Sequence, residues 1–165
     1  RSHGHGTRSP GADGSEGQAL YASGGSASPA SVEAYVEAVE AYDPQHDRWE
    51  AVASMGSARS APGLAVLDGT IYAIGGFNGN DDDLRSVERY DPSSNAWTAV
   101  APMSGPRSTL GAAVLNGKLF AVGGNDGINR FSSVEVYDPT SNAWSAVAPM
   151  NSPRSSAGVS VASLL

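Results

Sequence analysis

Apolar and polar residues alternate along most of the chain in short runs, and turn residues separate these runs. Gly63–Leu67 and Thr70–Ile74 are two such runs, with Asp68 and Gly69 between them. Alternation of this kind is typical of β-strands, and an Asp-Gly pair suits the positive φ angles of a two-residue hairpin turn. The pattern therefore predicts a β-hairpin, followed by strands over residues 86–90 and 97–100.

The same order of predicted elements recurs with a period of 47 to 48 residues. Residues 90–103 read YDPSSNAWTAVAPM and residues 137–150 read YDPTSNAWSAVAPM, so that 12 of 14 positions are identical. Residues 42–55 read YDPQHDRWEAVASM and share 8 of 14 positions with the middle copy. A double glycine precedes the motif at Gly75-Gly76 and again at Gly123-Gly124. Each repeat therefore predicts one four-stranded antiparallel sheet.

A sheet of this size cannot bury both of its faces alone, so consecutive sheets are expected to stack radially, as in a propeller. The landmarks are a double glycine, then Tyr-Asp-Pro, then Trp six residues after the Asp, then Pro-Arg-Ser before the next strand. With these landmarks the chain resembles the kelch β-propeller family over residues 18–161. WD repeats have a shorter period and carry Gly-His and Trp-Asp landmarks, which are absent here. The resemblance implies an all-β fold of about three four-stranded antiparallel blades that form an incomplete ring.

The repeat register divides the chain into five segments. The first is rich in glycine and serine and lacks the apolar residues of a first strand, so we expect a disordered tail. Three repeats follow, and the last segment holds one additional first strand. The segments are residues 1–16 (disordered tail), 17–58 (degenerate kelch repeat 1), 59–106 (kelch repeat 2), 107–153 (kelch repeat 3) and 154–165 (extra first strand).

The first repeat differs from the others because it contains a seven-residue duplication. The sequence VEAY occurs at residues 32–35 and again at residues 39–42. The repeat register predicts a strand over residues 38–42 and leaves residues 31–37 open between a loop and a helical turn. At the other end, residues 158–161 match a first strand. Kelch propellers commonly close their ring with such a strand, so the resemblance implies that this one completes the N-terminal sheet.

Charge and composition restrict the classes of partner. The chain has a formal net charge of −7 and a single lysine, Lys118, which argues against a nucleic-acid surface because such surfaces need clustered basic side chains. Its apolar runs are far shorter than the roughly 20 residues of a membrane-spanning helix. The absence of cysteine favours a reducing compartment. We therefore expect a cytoplasmic protein with neither a nucleic-acid nor a membrane partner.

The residue types also argue against an enzyme, and we expect no catalytic residues, no cofactor and no metal. No histidine recurs from repeat to repeat, and His46 is alone in a turn. The acidic run at residues 81–83 lacks the spaced oxygens and the glycine of a calcium loop. Some kelch propellers, such as galactose oxidase, are enzymes. The copper site of that enzyme needs a cysteine bonded to a tyrosine, and this chain contains no cysteine.

The candidate binding residues lie in loops that the repeat places at one rim of the propeller. Arg59, Arg107 and Arg154 recur, so we expect them to bond carbonyl groups and to be structural. Phe131 aligns with Leu84 and is expected to pack, whereas exposed rim aromatics without an apolar counterpart are typical of binding hot spots. The resemblance to kelch substrate adaptors implies that the serine after each of these arginines faces the ligand pocket. It implies the same for the residue after each double glycine, and for Asp83 and Arg130 before the third strand. The resulting partner-binding set is Ser26, Tyr35, Ser60, Phe77, Asp83, Ser108, Asn125, Arg130 and Ser155.

We therefore expect a protein–protein interaction module that binds a partner peptide or protein through this rim. By resemblance to kelch-like proteins, the module is expected to be the substrate-recognition part of a cullin-type ubiquitin ligase adaptor. An actin-binding or scaffold kelch protein fits the same residues, and a kelch-fold enzyme is the third alternative. Because three blades make only part of a ring, we also expect self-association that completes the propeller.

Overall fold

The computed structural model describes residues 19–24, 26–27, 34–35, 37–80 and 82–163. Within these ranges every regular element is a β-strand and every pairing between strands is antiparallel, so the predicted all-β fold is confirmed. None of the described residues belongs to a helix that is long and apolar enough to span a membrane. The predicted tail, residues 1–16, lies outside the described ranges.

The first repeat forms a three-stranded sheet, which we call blade 1, and a separate short hairpin. The sheet has the strand order β1-β4-β5, and β2 pairs with β3 alone. Residues 31–33 and 36 of the segment that the sequence left open lie outside the described ranges, while residues 34–35 are extended. The strands are β1 (Leu20–Ser23), β2 (Ser26–Ala27), β3 (Ala34–Tyr35), β4 (Val39–Asp43) and β5 (Arg48–Val52).

The second and third repeats each form a four-stranded sheet, called blade 2 and blade 3. In both blades, strands that are consecutive in the chain are also neighbours in the sheet. The four-stranded blades predicted from the repeat are therefore observed for these two repeats. Blade 2 consists of β6 (Gly63–Leu67), β7 (Thr70–Ile74), β8 (Val87–Asp91) and β9 (Ala96–Val100), and blade 3 of β10 (Gly111–Leu115), β11 (Lys118–Val122), β12 (Val134–Asp138) and β13 (Ala143–Val147).

The first two strands of blades 2 and 3 are joined by the two-residue turns that the sequence predicts. Asp68 and Gly69 have φ angles of 50° and 73°, and Asn116 and Gly117 have φ angles of 51° and 71°. Two successive positive φ angles match the right-handed twist of the flanking strands, and Asn, Asp and Gly adopt them most readily. The hairpins therefore follow directly from these residue pairs.

The core lies between consecutive blades. Tyrosines of consecutive blades meet there: the ring centroids of Tyr21 on β1 and Tyr90 on β8 are 5.6 Å apart, and those of Tyr72 on β7 and Tyr137 on β12 are 5.9 Å apart. Tyr72, Tyr90 and Tyr137 are buried. Tilted aromatic pairs at this separation are favourable beyond the area that they bury. The repeated tyrosines thus act between sheets.

Hydrogen bonds reinforce the same junctions. Trp97 Nε1 donates to the carbonyl oxygen of Ala53 at 2.8 Å, and the Ala53 N–H donates to Asn95 Oδ1 at 2.9 Å. The next junction repeats both bonds, with Trp144 donating to Ala101 and Ala101 donating to Asn142, at 2.8 and 2.9 Å. Successive blades are therefore joined by one recurring set of contacts.

The C-terminal segment follows the path that leads into blades 2 and 3. The Ser156 N–H donates to the Thr109 carbonyl at 2.8 Å, as the Thr109 N–H donates to the Ala61 carbonyl at 2.9 Å. Val159 packs against Gly111, where an added Cβ would collide with it. Residues 158–161, predicted to be a strand, pair with no strand among the described residues. Ring closure through this segment stays a prediction.

Candidate functional site

A buried arginine anchors the entry to blade 2. The Arg59 side chain is fully buried, and its Nη1 donates to the carbonyl oxygens of Gly75 and Ser86 at 2.7 and 3.0 Å. Its Nη2 and Nε donate to Glu88 Oε1 at 2.7 and 3.2 Å. Each N–H group therefore satisfies an acceptor at the strand ends from which the rim loop departs. The carbonyl contacts are those expected of a structural arginine.

Blade 3 repeats this arrangement around Arg107. The Nη1 atom donates to the carbonyls of Gly123 and Ser133 at 3.0 and 3.1 Å, and Nη2 donates to Glu135 Oε1 at 2.9 Å. Arg107 Cζ also lies 5.0 Å from the ring centroid of Phe131, within cation–π range. Phe131 is half-buried and packs against this arginine, in agreement with its expected packing role.

Sequence reasoning missed the glutamates that complete both arginine sites. Glu88 Oε2 accepts a hydrogen bond from the Gly56 N–H at 2.6 Å, and Glu135 accepts from the N–H and hydroxyl of Ser104 at 3.0 and 2.8 Å. Each carboxylate therefore joins its arginine to the chain that leaves the preceding blade. The available signal was the recurring Val-Glu pair three residues before each Tyr-Asp-Pro.

The double glycines bring the rim loops close to these arginines. Gly75 has a φ angle of 62°, and a Cβ there would collide with the carbonyl oxygen of Arg107. Gly76 has a φ angle of 99°, and its N–H donates to the same carbonyl at 2.8 Å. Only glycine combines this conformation with such a close approach. The equivalent bond runs from the Gly124 N–H to the Arg154 carbonyl at 2.7 Å.

Beyond the double glycines, six predicted site residues come together on short backbone bridges that extend the blades. Ser60 and Phe77 exchange two backbone hydrogen bonds of 2.8 Å, and Phe77 also bridges to Asp83. In blade 3, Ser108 and Asn125 exchange bonds of 2.9 and 3.0 Å, and Asn125 bridges to Arg130. We call this group of residues the rim; its members are Ser60, Phe77, Asp83, Ser108, Asn125 and Arg130. Ser108 is buried, whereas Arg130 is exposed.

The first repeat has a corresponding pair. Ser26 and Tyr35 lie opposite each other in the β2–β3 hairpin, as Phe77 lies opposite Asp83 in blade 2. Ser26 follows a double glycine, so the register makes Tyr35 equivalent to Asp83 and Arg130. Sequence reasoning did not find this equivalence because the seven-residue duplication changes the loop length.

The loops of adjacent blades meet at the rim. Asp83 Oδ2 would lie only 3.2 Å from a Cβ placed on Gly127, so this glycine leaves room for the carboxylate of the preceding blade. Arg130 and Ser155 line an open depression together with Pro153, Arg154, Ser156 and Ala157. Arg130 is exposed and Ser155 is half-buried. The structure thus places Ser155, the remaining predicted residue, beside the blade 3 end of the rim.

The blade 3 loop is held by its own polar side chains. Asn125 Nδ2 donates to Thr109 Oγ1 at 2.6 Å, and the Gly127 N–H donates to Asn125 Oδ1 at 2.9 Å. The backbone N–H groups of Asn129 and Ile128 donate to Asp126, and these bonds hold the pKa of Asp126 below its usual value. Hydrogen bonds to the charged form favour it. The loop is therefore held by bonds within the chain.

One exposed apolar residue of this loop was not recognised from the sequence. The Ile128 side chain is 90% exposed at the tip of the blade 3 loop. An exposed isoleucine next to the rim adds apolar area to the polar blade 3 end of this surface. Its only sequence signal was an apolar residue within a Gly- and Asn-rich loop. Among the described residues, no three His, Cys, Asp or Glu side chains are grouped as metal ligands.

Several known proteins match a short part of this chain at high identity, and three of them are described here in turn. Kelch-like protein 3 of Danio rerio is 48% identical over 45 residues, which are 27% of this chain and 8% of that protein. Kelch-like protein 5 of Homo sapiens is 49% identical over 43 residues, 26% of this chain and 6% of that protein. The Influenza virus NS1A-binding protein homolog of Mus musculus is 48% identical over 46 residues, 28% of this chain and 7% of that protein. The matched segment is therefore less than a tenth of each relative.

Family and structure comparisons cover more of the chain. A solved structure entitled "Structure of YjhT" superposes with a TM-score of 0.67 at 14% sequence identity, over 75% of this chain and 42% of that one, which shows a shared fold. The Kelch motif matches residues 17–56, 58–104 and 106–151. These three matches span most of the chain and coincide with the three blades, so the protein belongs to the kelch-repeat family of β-propellers.

Proposed function

We propose that this chain is a protein-interaction module, not an enzyme, and that it binds a partner peptide or protein through the rim. The observation that carries the proposal is the difference between two equivalent sets of rim residues. Phe77 of blade 2 corresponds to Asn125 of blade 3, and Asp83 corresponds to Arg130. An aromatic ring is thus replaced by an amide, and a negative charge by a positive one, on the same backbone bridge.

This difference contrasts with the framework beneath the rim. Tyr-Asp-Pro, the tryptophan, the double glycine and the buried arginine are the same in blades 2 and 3. Framework residues that must pack against the next blade are constrained by that contact, whereas loop side chains facing solvent are free to vary. Side chains that differ on an unvarying scaffold give the rim a specific pattern of charge and shape.

The rim is also ordered before any partner binds. Paired backbone hydrogen bonds join Ser60 to Phe77 and Ser108 to Asn125, and the buried side chains of Arg59 and Arg107 fix the strand ends below them. A surface that is already ordered loses less conformational entropy on association. Exposed Arg130 and Ile128 add residue types that contribute binding energy at interfaces.

The proposal is tested by selecting peptides from a displayed library of random 12-residue sequences against the 165-residue chain. Selected peptides, made synthetically, should bind the wild type and lose at least about tenfold in affinity for the Phe77→Ala/Arg130→Ala variant, measured by calorimetry. Arg89→Ala is the control, since Arg89 is an exposed residue of β8 away from the rim. Equal affinity for all three proteins, with unchanged melting temperatures, would contradict the rim assignment.

A narrower role within this proposal is substrate recognition for a cullin-type ubiquitin ligase. Its support is the resemblance to kelch-like proteins and the local identity to Kelch-like proteins 3 and 5. A cullin-type ligase reconstituted with a protein that includes this chain should ubiquitinate a test protein fused to a selected peptide. The Phe77→Ala/Arg130→Ala variant should not. Cosedimentation with actin filaments instead, lost in the same variant, would favour the filament-binding alternative.

A further inference from the structure

We infer that the partner presents an arginine side chain to the rim, and that Phe77 and Asp83 of blade 2 bind it. The inference rests on the proposed function, because it names the chemistry that the rim recognises in its partner peptide or protein. The feature that carries it is an aromatic ring beside a carboxylate that pairs with no cation of the described chain.

Blade 2 has a neighbouring blade on each side. The Tyr21–Tyr90 contact joins it to blade 1, and the Tyr72–Tyr137 contact joins it to blade 3. Asp83 also reaches the blade 3 loop, since its Oδ2 would lie 3.2 Å from a Cβ placed on Gly127. The surroundings of the blade 2 rim residues therefore include both of the blades that flank them.

Three different side chains lie side by side on the blade 2 bridge. Phe77 pairs with Ser60 on one side and with Asp83 on the other, and both pairings are antiparallel. Residues directly opposite each other in an antiparallel pair point to the same face, with Cβ atoms about 4.5–5.5 Å apart. A hydroxyl, a ring and a carboxylate thus share one face, and all three residues are half-buried.

The Asp83 carboxylate is available to a partner. Within the described part of the chain it takes part in no ion pair and no hydrogen bond. Asp91 and Asp126, by contrast, accept hydrogen bonds from backbone N–H groups of their own turns. A half-buried carboxylate has lost part of its hydration, so a cation from the partner compensates a cost that the fold leaves unpaid.

Arginine is the cation that fits a ring next to a carboxylate. Its planar guanidinium group stacks on an aromatic face and at the same time donates hydrogen bonds to a carboxylate. The chain holds one of its own arginines in this way: Arg107 Cζ lies 5.0 Å from the ring centroid of Phe131, and Arg107 Nη2 donates to Glu135 Oε1 at 2.9 Å. Phe77 and Asp83 offer the same two partners to an arginine from outside.

The equivalent position of blade 3 does not suit an arginine. The Asn125 amide already donates to Thr109 Oγ1 and accepts the Gly127 N–H, and Arg130 carries a positive charge where blade 2 has Asp83. Like charges repel, so a cationic side chain of the partner is directed to blade 2. The net charge of −7 attracts the same kind of partner at longer range.

A neutral analogue of arginine tests the inference on the peptides selected from the random library. Citrulline has nearly the shape of arginine but no charge. Peptides that bind the rim should contain an arginine whose replacement by citrulline lowers the affinity at least about tenfold in calorimetry. Asp83→Asn should cause a similar loss for the arginine peptide and little further loss for the citrulline peptide. Such coupling between the two changes identifies a direct contact.

Asp82→Asn is the matched control for charge. It removes the same charge one residue away, from an exposed side chain that points to the opposite face because neighbouring residues of an extended chain alternate. Its effect on the arginine peptide should be less than about threefold. Asp83→Asn should keep the wild-type melting temperature, since the carboxylate makes no bond within the described chain. Asp83→Arg should in turn bind the peptide in which glutamate replaces the arginine.

Two substitutions of Phe77 test the ring. Phe77→Leu keeps an apolar side chain but removes the aromatic face, so the affinity for the arginine peptide should fall about threefold or more. Phe77→Tyr keeps the face and should bind like the wild type. Equal affinities of both variants would exclude the ring from the contact and overturn the inference in its stated form.

The outcomes separate this inference from the proposed function. Peptides that lose affinity for the Phe77→Ala/Arg130→Ala variant but contain no arginine overturn the inference and leave the proposed function standing. So do arginine peptides that bind Asp83→Asn or tolerate citrulline without loss. A selection in which no peptide depends on the rim overturns the proposed function, and the inference falls with it.

Discussion

Arg59 Nη2 lies 2.7 Å from Glu88 Oε1, and both side chains are buried. The arginine belongs to the segment between blades 1 and 2, the glutamate belongs to β8, and Glu88 Oε2 holds the Gly56 N–H. One ion pair thus joins the end of one blade to the interior of the next. The rim loop of blade 2 starts from the same point, so stability and the presentation of the rim depend on a shared contact.

Removing this arginine should strongly destabilise the chain. Arg59→Ala leaves the Glu88 carboxylate buried without its charge partner and also removes the Arg59 donor from the Gly75 carbonyl, so we expect a loss of about 3–5 kcal/mol in the free energy of unfolding. Urea denaturation followed by circular dichroism measures this loss. Arg89→Ala, at an exposed position on the same strand as Glu88, should change stability by less than about 0.5 kcal/mol. Similar effects of both substitutions would contradict the anchoring role.

The close approach at the double glycine gives a second prediction. Gly75→Ala places a Cβ against the Arg107 carbonyl at a φ angle of 62°, so backbone strain alone should destabilise the chain by about 1–3 kcal/mol, and the collision should add to this. Gly105→Ala is the control because its added Cβ meets nothing within 4 Å. Thermal denaturation of both variants and of the wild type measures the effect, and Gly75→Ala should have the lower melting temperature. Equal melting temperatures would contradict the close approach.

Alkaline pH should weaken the junction between blades 1 and 2. Burial raises the pKa of Tyr90 from 10.0 to about 12, with smaller contributions from Tyr21 and Asp91. Because the folded pKa is the higher one, the stability that Tyr90 contributes is complete below pH 10 and is lost as the pH rises from 10 towards 12. Between pH 10 and 12, the melting temperature should therefore fall less steeply for Tyr90→Phe than for the wild type. Parallel curves for the two proteins would refute this assignment.

The tryptophan hydrogen bond should matter at the junctions between blades and not at Trp49 of blade 1. Trp144→Phe removes the 2.8 Å bond to the Ala101 carbonyl and should lower the free energy of unfolding by about 1–3 kcal/mol, because the carbonyl is left without its donor. Trp49→Phe should leave that free energy nearly unchanged, because Trp49 is 45% exposed. Urea denaturation of both variants measures the two changes. A large stability loss from Trp49→Phe would contradict the exposed state of this indole.

Most of the fold was predictable because it is encoded by neighbouring residues. Period-two alternation marked β6 and β7 with their observed bounds, and the Asp68-Gly69 and Asn116-Gly117 pairs marked the turns. Strand starts were less certain: β8 begins at Val87, one residue later than expected. The carbonyl bonds of Arg59 and Arg107 also follow from their recurrence at a fixed distance from the double glycine.

The sequence by itself determined the repeat, the strands, the hairpins and the family, since each depends on residue types a few positions apart. Only the tertiary structure decided which distant groups meet. It paired Arg59 with Glu88, placed Tyr35 opposite Ser26 and left Ile128 exposed. It also placed Val159 against Gly111. Such contacts depend on how whole sheets stack and on where each loop ends, and no local pattern specifies either.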